Sequence, residues 1–126
     1  MSWLPHYPST DKQLKEHPLT RFWNVIPRRS DEEVRCAGIS NPYHRQKFTE
    51  LFFLGGWKKW GYTSPSEADQ GFVNIVAKHT NSPQQVARIW RASRLAQLPG
   101  REKKLRRDDY LFHERYGIVT RAFDRK

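Results

Sequence analysis

SPSEADQGFVNIVAKHTNSPQQVARIWRASRLAQLPGREKKLRRDDY, residues Ser64–Tyr110, decides the fold of this chain. Ser64-Pro65-Ser66-Glu67 has the form of a capping box. A hydroxyl accepts an orphan amide, proline takes the first helical position where no donor is needed, and glutamate is placed to reach back. Ser82-Pro83-Gln84-Gln85 repeats the device. Between the two starts, Ala68, Phe72, Ile75, Val76 and His79 fall on one helical stripe, predicting a helix from Pro65 to about His79. The next helix is expected from Pro83 to about Gln97, with Val86, Ile89 and Trp90 facing inward. Pro99-Gly100 breaks it, and a basic loop leads to Asp108-Asp109, which opens a last helix carrying Leu111, Ile118 and Ala122 inward. Gly117 weakens that helix by about 1 kcal/mol relative to alanine.

Upstream, Ser30-Asp31-Glu32-Glu33 forms a third capping box, with acids in the first turn where the helix dipole favours them. Gly38 and Asn41-Pro42 stop this short helix. Pro42 to about Leu54 forms the next, with Phe48, Leu51 and Phe52 at helical spacing and Gly55-Gly56 as its stop. No strand pattern occurs. The expected architecture is all-α, a single helical bundle of about five helices over residues 30–126. Residues 1–29, with Pro5, Pro8, Pro18 and Pro27, form a proline- and aromatic-rich arm or linker. One short helix fits between Ser9 and His17, and Trp3, Tyr7, Phe22 and Trp23 suit packing against the body.

A chain of 126 residues supports one modest core. Its 37% hydrophobic and 13% aromatic content is sufficient for folding, while a mean hydropathy of −0.90 implies a heavily solvated surface. No apolar run approaches the ~20 residues of a membrane span, and the N-terminus has no secretory pattern. Cys36 is the single cysteine, so no internal disulfide or multi-cysteine zinc site can form. A cytoplasmic protein is expected, with no membrane partner.

The decisive number is a net charge of +10, from 23 basic and 13 acidic side chains. Such an excess attracts polyanions, chiefly nucleic acid. Arg88, Arg91 and Arg94 recur every third residue on the expected outward face of a helix, where they could meet successive phosphates. Lys103, Lys104, Arg106 and Arg107 form the densest basic segment and are expected to be solvated. Lys58, Lys59 and Trp60 lie in the loop Trp57–Tyr62, where aromatics interleave with lysines as in single-strand binders: bases stack on rings while ammonium groups follow phosphates. Trp57 and Tyr62 are assigned to the core.

Catalysis is not expected. Glu67 and Asp69 are spaced like a metal-binding pair, but Glu67 has a capping role and residues two apart on a helix do not share a face. Asp108 and Asp109 suit a helix start. His6, His17, His44, His79 and His113 form no ligand pair at i, i+4, so no metal site is proposed. His79 suits a helix C-terminus or a packed ring, and Cys36 has no triad around it.

The order S-P-S-E-A-D, apolar helix, R-I-W-R-A-S, then R-E-K-K and R-D-D-Y resembles the helix-bundle domain of phage and plasmid primase–polymerases of the archaeo-eukaryotic type. Shorter matches begin at Ser30-Asp31-Glu32-Glu33-Val34 and continue through Lys47-Phe48-Thr49-Glu50-Leu51 and Gly55-Gly56-Trp57, so the resemblance covers roughly Ser30 to Ile118. In that family the bundle helps the primase engage template and initiating nucleotide. The resemblance therefore implies a DNA-replication function in a mobile element, single-stranded DNA as partner, and a capacity for nucleotide binding. The matching positions are Ser66, Glu67, Asp69, Arg91, Ser93, Lys104, Asp109 and Tyr110. The family's catalytic acids lie in a primase core that these residues do not include. No cofactor is otherwise implied.

Two other function classes fit the same sequence. A replication-derived bundle could partner a primase or polymerase in trans, or be co-opted as a protein-binding inhibitor of a host or defence nucleoprotein complex. A basic structural subunit of a ribonucleoprotein is the other. Salt separates them: phosphate contacts weaken steeply as salt rises, whereas an apolar protein interface does not.

Overall fold

The computed structural model of this chain describes residues 17–22, 24–124 and 126. The expected helix at Ser9–His17, the packing of Trp3, Tyr7 and Trp23, and His6 therefore lie outside the described residues, apart from His17 itself. The described chain is all-α. Seven α-helices follow in order: α1 Asp31–Ser40, α2 Arg45–Thr49, α3 Pro65–Ala77, α4 Pro83–Ala92, α5 Glu102–Arg106, α6 Asp108–Phe112 and α7 Ile118–Phe123. Five had been expected. The basic segment is itself helical, and the expected last helix is two.

The helix starts follow local chemistry. The Glu33 amide donates to Ser30 Oγ at 3.1 Å and the Ser30 amide to the Glu33 carboxylate at 2.9 Å, a complete capping box. At α3 and α4 only half the device forms. Ser64 and Ser82 accept the Glu67 and Gln85 amides. The Glu67 carboxylate instead takes the Thr63 hydroxyl at 2.6 Å, and Gln85 reaches across to the Arg29 carbonyl and Asp31.

Three helix ends depart from expectation. Asn41-Pro42 makes a turn, with the Tyr43 amide on Asn41 Oδ1, so α2 begins at Arg45. It runs on through a π-turn, Glu50–Leu54, which Gly55 closes at φ 70°. A Cβ there would lie 3.0 Å from Leu98, so both backbone and space call for glycine. The π-turn's late carbonyls are orphans that need outside donors. The Arg94 amide takes Phe52 O at 2.7 Å and the Leu95 amide takes Leu51 O at 3.3 Å. That tertiary demand ends α4 at Ala92 instead of Gln97: Ser93 turns extended, and Leu95 and Ala96 drop into the core. Finally, Gly117 sits against the Leu111 carbonyl and the His113 amide, each 2.5 Å from where a Cβ would be. The close approach breaks the last helix into α6 and α7.

The core centres on α3, which packs chiefly on α7 and α4. Phe48, Phe52 and Phe72 cluster within it, with Phe48 and Phe72 centroids 5.3 Å apart. Leu19 and Phe22 belong to the same core, and His17 bonds the Phe112 carbonyl at 2.9 Å. The packed unit thus extends back past residue 30 into the expected arm. No described helix is long and apolar enough to cross a membrane.

Candidate nucleic-acid interface

Their partners sort the nine predicted basic contact residues into three groups. Arg88 is held by both oxygens of Asp31 at 2.9 Å, tying α4 to α1. Arg91 gives Nε–H to the Leu105 carbonyl at 3.1 Å and Nη2–H to Asp108 at 3.0 Å. Arg107 is bidentate on Asp109. These hydrogen bonds lower the carboxyl pKa of Asp31 and of Asp109. Lys59 meets Glu50 at 3.1 Å. These four cations are already partnered by acids.

Lys104 is part-buried, not solvated: its Nζ donates to Ser66 Oγ at 2.6 Å and lies 5.3 Å from the Tyr110 ring centre. Lys58 stands over the Trp57 ring. Arg94, Lys103 and Arg106 are exposed and make no ion pair among the described residues. The expected arginine row does not survive, because Arg94 lies beyond the end of α4 and its two fellows are engaged.

The loop Trp57–Tyr62 forms a compact patch. Lys47 lies 5.8 Å from the Trp60 centroid and 5.5 Å from that of Tyr62, and Lys59 lies 5.3 Å from Trp60. Trp57, Trp60 and Tyr62 all rest on the core with part of each ring exposed. The Trp60 indole N–H has no partner among the described residues. Arg94 borders this patch through Gly55, and Phe53, 52% exposed, sits on the intervening π-turn. Lys47 and Phe53 were missed by sequence reading. Lys47 could have been found, since it stands in the same basic-aromatic neighbourhood once α2 is folded over the loop.

Of the positions singled out by the primase resemblance, Ser66, Asp69, Lys104 and Tyr110 meet elsewhere, while Arg91 and Asp109 are held in the pairs described above. Asp69 is fully buried in α3 and accepts from two nitrogens of Arg101, from Trp90 Nε1 at 3.0 Å and from the Tyr110 hydroxyl at 2.5 Å. Arg101, nominally the start of the solvated basic run, is 7% exposed and also donates to the Leu95 carbonyl. Burial, then the charge of Asp69, pushes the Tyr110 hydroxyl pKa up. Ser66 and Lys104 join this group through Tyr110, and Ser93 caps the turn after Trp90. Glu67 faces away toward Thr63. A charge so surrounded fastens α5 and α6 to α3 and α4, and it offers no open coordination position. Among the described residues no three His, Cys, Asp or Glu side chains converge as a metal would require. Cys36 is exposed.

No protein-family model, curated protein or solved structure matches this chain.

Proposed function

We propose that this chain binds single-stranded nucleic acid through the patch of Lys47, Lys58, Lys59, Trp57, Trp60 and Tyr62, aided by Arg94 beside Gly55 and by the exposed cations Lys103 and Arg106. The observation that carries the reading is the interleaving itself: three lysines lie within 6 Å of three part-exposed rings. Such a surface offers π-faces to bases and ammonium groups to the backbone, and it is tolerant of sequence because every base has a π-face. Arg94, Lys103 and Arg106, which make no ion pair among the described residues, would add phosphate contacts with no bridge to break. The primase resemblance would make that strand a replication template, with DNA the favoured partner and no catalysis by this bundle.

The test is fluorescence anisotropy with a 3′-labelled, 5′-hydroxyl DNA strand at two salt concentrations. Arg94→Glu with Lys103→Glu is compared with the charge-matched pair Arg115→Glu with Arg121→Glu, distant in sequence and also exposed. The first pair should lose most of the affinity and lower the salt slope by at least about 1.4, from two lost contacts on a single strand. Equal loss in both pairs, or no binding by the unaltered protein at low salt, refutes the assignment.

A further inference from the structure

The segment before α1 and the turn after α3 enclose a cleft of about 600 Å³, lined by Arg28, Arg29, Lys78, His79, Ile26 and Asn81 among others. A volume of this size is typical of small-ligand pockets. No carboxylate among the described residues lines it. Arg28, Arg29 and Lys78 make no ion pair among the described residues. Behind the turn, Lys126 Nζ donates to the Thr80 carbonyl at 3.0 Å and to Asn81 Oδ1 at 2.8 Å, placing a fourth cation against the same wall. The amides of Thr80 and Asn81 donate to no described residue. The nearby acid Glu33, whose carboxyl feels the Arg29 charge, is already spent on the Ser30 amide.

We propose that this cleft is a binding site for a phosphate monoester dianion, whether free or at the end of a strand. It is built from residues outside the basic-aromatic patch and stands or falls separately. Converging guanidinium and ammonium groups without a counter-acid leave an unneutralised field, and a doubly charged phosphate matches both its sign and its donor set.

His79 couples the site to protons. Its Nε2 lies 3.1 Å from His44 Nε2, so one ring donates and the other accepts. Burial holds both imidazoles below their ordinary pKa. Lys78 and Lys47 reinforce this at His44, and His44, Arg29, Lys78 and Lys126 at His79. A dianion in the cleft opposes those cations. His79 then gains a proton, keeps Nε2–H on His44 and offers Nδ1–H to a phosphate oxygen. No proton is lost to other groups in this step; one is taken from solvent as the anion binds.

The experiment follows the His44 and His79 ring resonances by NMR across pH in the full chain, with millimolar inorganic phosphate or with chloride at matched ionic strength. Phosphate should raise the His79 midpoint by about half a unit or more, and Arg28→Ala with Arg29→Ala should abolish that rise. Lys78→Ala serves as a second variant should the first unfold. An equal rise with chloride, no rise with either inorganic phosphate or a 5′-phosphorylated strand, or a rise that survives both variants overturns the site. Repeating the titration with 5′-phosphorylated and 5′-hydroxyl oligonucleotides separates the sources. A rise for every phosphorylated ligand assigns the site to the free group, and a rise confined to the phosphorylated strand assigns it to a strand end. Binding of the 5′-hydroxyl strand reports on the patch alone.

Discussion

Arg101→Ala is the sharpest perturbation this structure offers. The side chain supplies two of the four donors to a carboxylate with no solvent exposure, and it satisfies the Leu95 carbonyl as well. After truncation, Asp69 keeps only the Trp90 indole and the Tyr110 hydroxyl. Removing one partner of a buried ion pair costs about 3–5 kcal/mol, because the remaining charge stays out of water. A chain of this size has about 5–15 kcal/mol in total, so the variant should lose from about a fifth to all of its stability. Lys103→Ala, two residues away and exposed, should fall within about 0.5 kcal/mol of the parent. Replacing both charges, Asp69→Asn with Arg101→Met, removes the unpaired ion and should recover at least half of the loss. Urea denaturation with slopes compared across the four proteins measures this directly. If Arg101→Ala loses less than about 1 kcal/mol, or matches Lys103→Ala, then the Asp69 group does not fasten the bundle and the reasoning fails.

Two further outcomes are expected. Ile89→Ala or Trp90→Ala, at side chains 1% and 0% exposed, should each cost about 2–5 kcal/mol by calorimetry or urea, and a neutral effect would contradict the packing of α4 on α3. Thermal stability should fall as pH drops from 7 toward 5. His17 gives one nitrogen to the Phe112 carbonyl and accepts the Leu19 amide on the other, which requires the neutral ring. Burial lowers the pKa of His17, His44 and His79. The unfolded chain therefore takes up protons first, from about pH 6.5 downward, and stability declines there. Asp31 and Asp109, whose folded pKa values are also lowered, add a second decline in the carboxylate range below. A melting temperature that rises between pH 7 and 5 would rule this out.

What sequence reading recovers here is what the local chain determines. Ser30, Ser64 and Ser82 cap helices through hydrogen bonds spanning three residues, so their chemistry is visible in four letters. The inward placement of Val86, Ile89 and Trp90 follows from spacing alone. Ser93 is different: it leaves the helix because the Phe52 and Leu51 carbonyls, some forty residues earlier, draw the next two amides. Nothing near Ser93 announces that. Asp69 was in principle legible. It lies at i, i+4, i+7 spacing with Val73 and Val76, on the buried side of α3, and an acid there demands a buried cation or donor. Arg101 answers that demand, although its neighbours suggested solvent. The meeting of His44 with His79 has no sequence signal, since it depends on how α2 sits against the end of α3.

Charge counting and charge geometry lead to different surfaces, and their energies say which to follow. An exposed pair such as Arg88–Asp31 is worth only about 0–1 kcal/mol, and Arg107–Asp109 is more exposed still. A nucleic acid could recruit those arginines cheaply, exchanging one carboxylate for one phosphate with little net gain. Arg101 cannot be recruited at all without stranding Asp69. The densest basic run, 101–107, therefore offers far fewer free cations than its seven letters suggest. One of its cations is buried, one is bound to Ser66, one is paired, and only Lys103 and Arg106 stand free. The lysines around Trp57, Trp60 and Tyr62 are fewer, but they already share their surface with rings. On the proposed reading an incoming strand would gain stacking and phosphate contact together there, with only Lys59 having to leave an acid, Glu50.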